Sequence, residues 1–585
     1  MSKKIVSLIL ACFMLCGVAG CGSKTPPASA TSAESAAGGG SGSAETAGSD
    51  KTTGSAETTS SAETASSAEN AGSDKTADSA DTAGSAAFSD KDSIEISVAT
   101  WYIDPEINNR DDLIHKTVRE KFNITLKPIV ITWDDYFEKI LTWMATADAP
   151  DLFTIDVTYR PNIFLPWVKD ELLRPMPDDL SAYPNLETLF GRPDVQMIKV
   201  DGKFWCVPRY KGDVSGHPWA MNNGMYYRKD WAGALGIDEI VTLDDFVAYL
   251  RAVSEGDLDG NGATDTVGVS SGYSYGYVTS FIWRAYEPIS FGSWQVDSDG
   301  KLYRAFNAEH TYDAALALRN LFNEGLIDPD ILIQTTDGGF DKFAANKSGA
   351  VAFQMFSNDE LLFDKLMAAN PDKKLEDYIG FLNDFPNKYD GKSYCSDSAT
   401  NFWAEVYIPH TVDDAKYERI MPFLEYVSSE EWIDFYLYGV EGEDYRREGG
   451  KIVFLTEDGL RPNVKEKYLF LNGFCELTLL FEGRKFSEFY TKYPYVGQMV
   501  NEYHDWAAAN ATPAPTTGVT YGINTPLLEE FVDESETLLN KFMYGGSAGD
   551  PKAEWDALQQ AIRDSGVDAV IAEMNEAVRA AGRLK

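Results

Sequence analysis

The stretch "FNITLKPIVITWDDYFEKILTWMATADAPDLFTID", Phe122 to Asp156, decides the fold class. Its first third, "FNITLKPIVIT", is rich in branched residues and reads as a strand. The apolar spacing of "WDDYFEKILTWMATADA" reads as a helix, and "DLFTID" returns to a strand. Working outward, "IEISVAT" (Ile94 to Thr100) reads as a buried strand and Asp111 to Lys121 as a helix. Strand, helix, strand, helix, strand opens a parallel α/β sheet. Downstream, "NNGMYYRKDWAGALGIDEIVTLDDFVAYLRAV" predicts a strand, a short helix, and a further helix opened by Thr242 as N-cap with Asp245 three residues on. Late segments such as "DDAKYERIMPFLEYVSSEEWIDFYLYGVEG" and "DPKAEWDALQQAIRDSGVDAVIAEMNEAVRA" read as amphipathic helices. The fold class is therefore α/β with a helical surplus toward the C-terminus.

The N-terminal region reads differently. "MSKKIVSLILACFMLCGVAGCGSK" has two lysines, a short apolar run and small residues before Cys21, the pattern of a secretion signal and too short for a spanning helix. Its ending "VAGC" resembles a bacterial lipobox, which implies a signal peptide over 1–20 and a diacylated Cys21. From 21 to 92 the chain is Ser, Ala, Thr, Gly and acid, with "AGSDKT" at 47–52 repeated at 71–76. Such a composition cannot bury enough surface to offset chain entropy and is expected to act as a tether. The net charge of −40 argues against nucleic acid or anionic lipid as a partner. Cys206, Cys395 and Cys475 show neither zinc spacing nor a disulfide framework.

Eight blocks carry a resemblance to a known family: "TADAPDLFTID" (146–156), "DGKFWCVP" (201–208), "MYYRKDWAGALGI" (225–237), "TLDDF" (242–246), "LFNEGLIDPD" (321–330), "FAANKSGAVAF" (343–353), "YGVEGEDY" (438–445) and "EWDALQQAIRDSGVDAVI" (554–571). Their succession resembles the extracellular solute-binding proteins of family 1, in the long lipoprotein branch of ABC-importer sugar binders that includes alginate-oligosaccharide binders. The resemblance implies a two-lobe periplasmic-binding-protein-like fold that encloses its ligand at a hinge. Lobe 1 would comprise 93–222 and 405–455, and lobe 2 would comprise 223–404 and 456–585. It further implies a lipid-anchored monomer on the extracytoplasmic face of a bacterial membrane, capturing an oligosaccharide and delivering it to importer permease subunits.

Sugar rings offer C–H faces to aromatic side chains and hydroxyls to fixed polar partners. Candidate ligand contacts are Trp101 and Tyr102 at the end of the first strand, Trp133 after the second, Asp156 after "DLFTI", Trp205, Trp219, Tyr275, Trp283, Phe356 and Trp403. Arg160, Arg209, Arg228 and Arg284 could line the cleft for an acidic sugar. Trp432, Trp506 and Trp555 sit in helical patterns and are assigned to packing.

A secreted polysaccharide-degrading enzyme is the alternative, as is a sugar sensor or adhesion lipoprotein. Catalysis has little support in the sequence: the five histidines are scattered, no GxSxG or Walker loop occurs, and Glu441 in "GVEGEDY" reads as part of a glycine turn. In "EGDLDGNGATDTVGV" (255–269), Asp257, Asp259, Asn261, the Ala263 carbonyl and Asp265 have the oxygen-ligand spacing of a calcium loop around Gly262. Gly268 stands where an EF-hand has its bidentate Glu, so a structural Ca2+ is expected here and not a switch.

Overall fold

The computed structural model describes Phe88 and the chain from Asp92 to Leu584, except residues 102, 104–111, 134, 211–223, 273, 289–292, 335–337, 354–358, 396–399, 401, 463, 469–476, 478–491 and 516–517. Two sheets organise it. Their strands, in chain order, are β1 (Ile94–Trp101), β2 (Ile124–Ile131), β3 (Leu152–Ile155), β4 (Val207–Tyr210), β5 (Gly224–Arg228), β6 (Val267–Ser271), β7 (Ser348–Phe353), β8 (Ile379–Phe381) and β9 (Phe402–Tyr407). The first sheet has the order β2-β1-β3-β9-β4 and the second β8-β5-β7-β6.

In the first sheet β1 and β2 run parallel from Ile94 opposite Ile124 to Trp101 opposite Ile131, and β3 joins parallel at Val98 opposite Leu152. β9 runs against β3, with Glu405 opposite Ile155, and also pairs antiparallel with β4. The chain thus leaves the first sheet at Tyr210, joins the second at Gly224, leaves that at Phe381 and rejoins the first at Phe402. In the second sheet β6 and β7 are parallel, and β5 runs against β7 and β8.

Local chemistry explains the helix limits. The helix Leu113–Phe122 begins where the Asp112 carboxylate accepts the Ile114 N–H at 2.8 Å, and ends at Asn123 in the left-handed region with φ 51°. Leu243–Glu255 opens on a full capping box: Thr242 accepts the Asp245 N–H, and the Asp245 carboxylate accepts the Thr242 N–H. The late amphipathic segments are each broken into two helices. Asp414–Val427 stops at Ser428 and Glu430–Tyr438 restarts with Ser429 as its cap, while Pro551–Asp564 and Val567–Ala580 are separated by Gly566 at φ 90°.

One core surrounds the first sheet and reaches one face of the second, taking in Trp101, Phe153, Tyr407 and Trp432. A second core gathers Phe246, Tyr249, Phe281 and Trp283 with the C-terminal helices. Arg319 on Thr311–Asn323 anchors those helices through Glu554 at 2.6 Å. The segment near Tyr468 packs instead on Glu430–Tyr438, with Tyr468 donating to Asp444 at 2.9 Å. In "GVEGEDY", Gly439 and Gly442 hold φ 88° and 89°, and the Glu441 side chain is 54% exposed on the turn they make. No helix among the described residues is long and apolar enough to cross a membrane.

Candidate functional site

Side chains at the C-terminal ends of parallel strands converge in space, and this is where open α/β sheets bind ligands. Trp101 ends β1, Trp133 lies two residues beyond β2, and Asp156 follows β3 directly. From the opposite direction β9 brings Trp403. A register shift between Phe402 and Glu405 interrupts its ladder with β4, the kind of irregularity that re-aims a side chain. The three indoles touch: Trp101 to Trp133 at 5.4 Å and edge-on, Trp101 to Trp403 at 5.4 Å, and Trp133 to Trp403 at 5.8 Å between centroids. Tyr136 joins them 4.8 Å from Trp101.

Burial divides their roles. Trp101 is 1% exposed and forms the base of the cluster, whereas Trp133 is 39% exposed and Trp403 is partly buried. The outward faces belong to Trp133 and Trp403.

Beside the indoles stands a polar group that the sequence hinted at through Asp156, Arg160 and Arg209. That carboxylate is 4% exposed, and both its oxygens are engaged: Tyr136 donates to Oδ1 at 2.9 Å and Tyr159 to Oδ2 at 2.6 Å. Burial and the neighbouring Asp156 push the Tyr136 hydroxyl up, so it stays a donor. Arg160 donates to the Tyr159 oxygen at 2.9 Å, lies 3.7 Å from Asp156 and covers the Phe137 ring at 4.4 Å. Asp156 therefore fixes Tyr159, which is 46% exposed and presents an aromatic face with a held hydroxyl. The Arg209 Nε donates to the Trp403 carbonyl at 2.8 Å, and its guanidinium stands 5.2 Å from the Trp403 ring.

Beneath this cluster the Glu405 carboxylate, 2% exposed, accepts the Val157 N–H at 3.1 Å, the Thr158 N–H at 3.4 Å, the Thr158 hydroxyl at 2.8 Å and the Tyr407 hydroxyl at 3.0 Å. β9 thereby pins the turn that carries Asp156 and Tyr159. Burial raises this carboxyl from 4.5 to about 7, with Thr158 and Tyr407 opposing the shift and Asp156 adding to it. Tyr136, Tyr159 and Glu405 were not picked out from the sequence. The signal for Tyr159 was the "DVTYR" run, which puts a ring and a guanidinium three and four residues after the strand-end acid.

Other candidates lie elsewhere. Trp283 is 1% exposed in the second core, and Tyr275 packs against that core with its hydroxyl bound by Asn540 at 2.7 Å and Glu536. Trp205 is partly buried, with its indole N–H on the Val200 carbonyl. Arg228 and Arg284 are buried too: Arg228 pairs with Asp230 and Asn346, and Arg284 with Asp384. Both are structural ions of the second sheet's surroundings. Tyr102, Trp219, Phe356 and Cys21 lie outside the described residues. Cys206 and Cys395 are buried.

The acidic loop sits at the opposite end of the second sheet from the chain crossing. It leads into β6, and Lys347 leads into the parallel β7, so loop and lysine share one end, while β5 enters opposite the far end of β7 at Phe353. About 15–20 Å of strand separates the two ends. Asp257 accepts the Gly262 N–H at 3.0 Å, and the Asn261 side-chain oxygen accepts the Ala263 N–H at 2.7 Å. The Asn261 amide donates to Asp259 and Asp265, each at 2.9 Å. Lys347 Nζ lies 2.8 Å from Asp259 Oδ2 and 3.0 and 3.1 Å from the Asp265 oxygens. Among the described residues no trio of His, Cys, Asp or Glu is gathered as a metal site. The loop's donors are nevertheless hard oxygens, and two of its acids already converge on a cation, so their chemistry fits calcium.

Comparison with known proteins places this geometry. LipO, a lipoprotein of Bacillus subtilis (strain 168), is 25% identical over 343 residues, covering 57% of this chain and 64% of LipO, less than two thirds of that protein's length. The alginate-binding protein AlgQ2, solved without calcium ion, superimposes with a TM-score of 0.64 at 17% identity over 84% of this chain and 98% of its own. The Streptococcus pneumoniae ABC-transporter substrate-binding protein FusA, solved with kestose, gives 0.60 at 16% identity over 84% and 99%. The fold is thus the mixed α/β, two-lobe solute-binding fold. The sequence pattern of the bacterial extracellular solute-binding proteins matches residues 114–431, more than half of the chain, and the protein belongs to that family.

Proposed function

We propose that this protein is a non-enzymatic substrate-binding component of an ABC importer, which captures an oligosaccharide between two lobes and delivers it to permease subunits. The supporting observation is the pair of outward indoles, Trp133 and Trp403, beside the held hydroxyl of Tyr159. Flat apolar faces next to fixed polar groups match a pyranose or furanose ring, whose C–H faces stack while its hydroxyls hydrogen-bond. FusA's kestose and AlgQ2's alginate are ligands of the same chemical class on the same fold. In this reading the lobes are built on the two sheets, with the sequence-expected hinge crossings near Asn222 to Arg228 and near Phe402 to Pro409. Ligand touching both lobes favours the closed state by its differential affinity, which a permease can read.

The lipobox-like "VAGC" and the composition of 21–92 support attachment through lipidated Cys21, as a monomer on the extracytoplasmic membrane face. The loop 257–265 is assigned a structural calcium held by Asp257, Asp259, Asn261, the Ala263 carbonyl and Asp265. Binding of the purified protein to a glycan array, followed by calorimetry on the retained oligosaccharide with Trp133→Ala and Trp403→Ala, tests the main reading. Unchanged affinity in both variants refutes the site, and turnover of the retained sugar refutes the transport role.

A further inference from the structure

We propose that Lys347 is the built-in counter-ion of the acidic loop, holding it assembled when no metal is bound and setting its calcium affinity low. The loop's acids come from one local stretch, but the ammonium comes from more than eighty residues away, at the start of β7. It contacts Asp259, whose side chain is only 6% exposed, and both oxygens of Asp265. Without it, three carboxylates closing on one another around Gly262 would repel and the loop would splay. With it, Asp257, Asp259, Asp265 and Lys347 sum to −2, the charge one divalent cation neutralises. Calcium held by Asp259 and Asp265 has to share their oxygens with the ammonium, and that nearby positive charge weakens its attraction. The same link ties the loop to the strand pair β6 and β7, so the end of the sheet stays closed in calcium-poor surroundings.

The second half of this inference rests on the calcium assignment; the first does not. The experiment uses the mature chain as wild type, Lys347→Met and Lys347→Arg, melted in EDTA and titrated with calcium chloride by calorimetry. Lys347→Met should melt lower in EDTA, by about 1 °C. It should also bind calcium more tightly, by about tenfold, because a like charge close to the ion is gone. Lys347→Arg keeps the cation and should stay near wild type in both measurements. Equal melting of wild type and Lys347→Met in EDTA overturns the counter-ion role, and equal or weaker calcium binding by Lys347→Met overturns the affinity role. If none of the three proteins takes up calcium, the calcium assignment falls, and the melting in EDTA alone still decides whether Lys347 holds the loop.

Discussion

Replacing Glu405 with Gln should flatten the pH dependence of stability, and the structure sets both sign and size. The folded carboxyl titrates at about 7, against an ordinary 4.5, because burial disfavours its charge. Between those values the folded chain holds a proton that the unfolded chain has released. Stability from this group is therefore fully present below pH 4.5, falls as pH rises through the window, and is gone above about pH 8. The full span is about 3 kcal/mol for a carboxyl displaced this far. Gln is neutral throughout and keeps the geometry. Its oxygen, placed as Oε2, can accept from Val157, Thr158 and Tyr407, and its amide can donate to the Thr158 hydroxyl that now meets Oε1. The variant should match wild type near pH 5 and exceed it near pH 8, by roughly 3 °C in melting temperature. Calorimetric melts of both proteins from pH 5 to 8.5 measure this, since every other carboxylate contributes equally to both and cancels in the difference. A difference that does not change with pH would show that Glu405 stays ionised in the folded protein and that burial does not control it.

Removing either outward indole, Trp133→Ala or Trp403→Ala, should weaken oligosaccharide binding by about tenfold in calorimetry, and because both rings pack on the buried Trp101 each should also lower the melting temperature, more so for the partly buried Trp403. Tyr159→Phe keeps the ring but loses the donor to Asp156, so titration calorimetry should show a smaller loss, about threefold, if that hydroxyl orients the ring for ligand. Cys21→Ser should release the protein from the membrane fraction or leave the precursor uncleaved; retention with normal processing would refute lipid anchoring. Gly439→Ala should destabilise the chain by about 1–3 kcal/mol in denaturant titration, because φ is 88° and the new Cβ would meet Asp444 Oδ2 at 2.4 Å.

The fold was readable wherever one rule dominated locally. Branched runs marked β1 and β2, the Thr242 and Asp245 pair marked a helix start, and the strand-end positions of Trp101, Trp133 and Asp156 led to the candidate site, in which Trp101 and Asp156 are buried supports and only Trp133 of the three is open. Aromatic density misled where it came from core packing. Gly276–Trp283 buries Val278, Phe281, Ile282 and Trp283 on the second core, and a sequence does not separate that face from a ligand-stacking one. Arg228 and Arg284 misled for the same reason, since their partners Asn346 and Asp384 lie 118 and 100 residues away. Lys347 and Glu405 were out of reach altogether. Each acts on a segment distant in sequence, and only the pairing of β7 with β6 and of β9 with β3 creates the contact.

That pairing gives β9 two separable duties. Trp403 turns toward the indole cluster and Arg209, while Glu405, two residues on, is buried against Val157 and Thr158. β9 is also the strand by which the chain returns to the first sheet, so any rotation of one proposed lobe on the other is felt there first. The platform and the turn bearing Asp156 consequently move as one body, because Glu405 ties β9 to the turn after β3 by three hydrogen bonds, from the Val157 and Thr158 N–H groups and the Thr158 hydroxyl. A ligand resting on Trp133, Trp403 and Tyr159 then meets a rigid surface in both open and closed states, and the energy that favours closure has to come from contacts made by the second lobe. On this argument indole loss in the first lobe should lower affinity without altering how far the lobes close on a saturating ligand, a separation that small-angle scattering at saturation can read. Loss of closure in Trp403→Ala at full occupancy would mean that the platform itself bends, and that the three bonds from Val157 and Thr158 to Glu405 do not hold it.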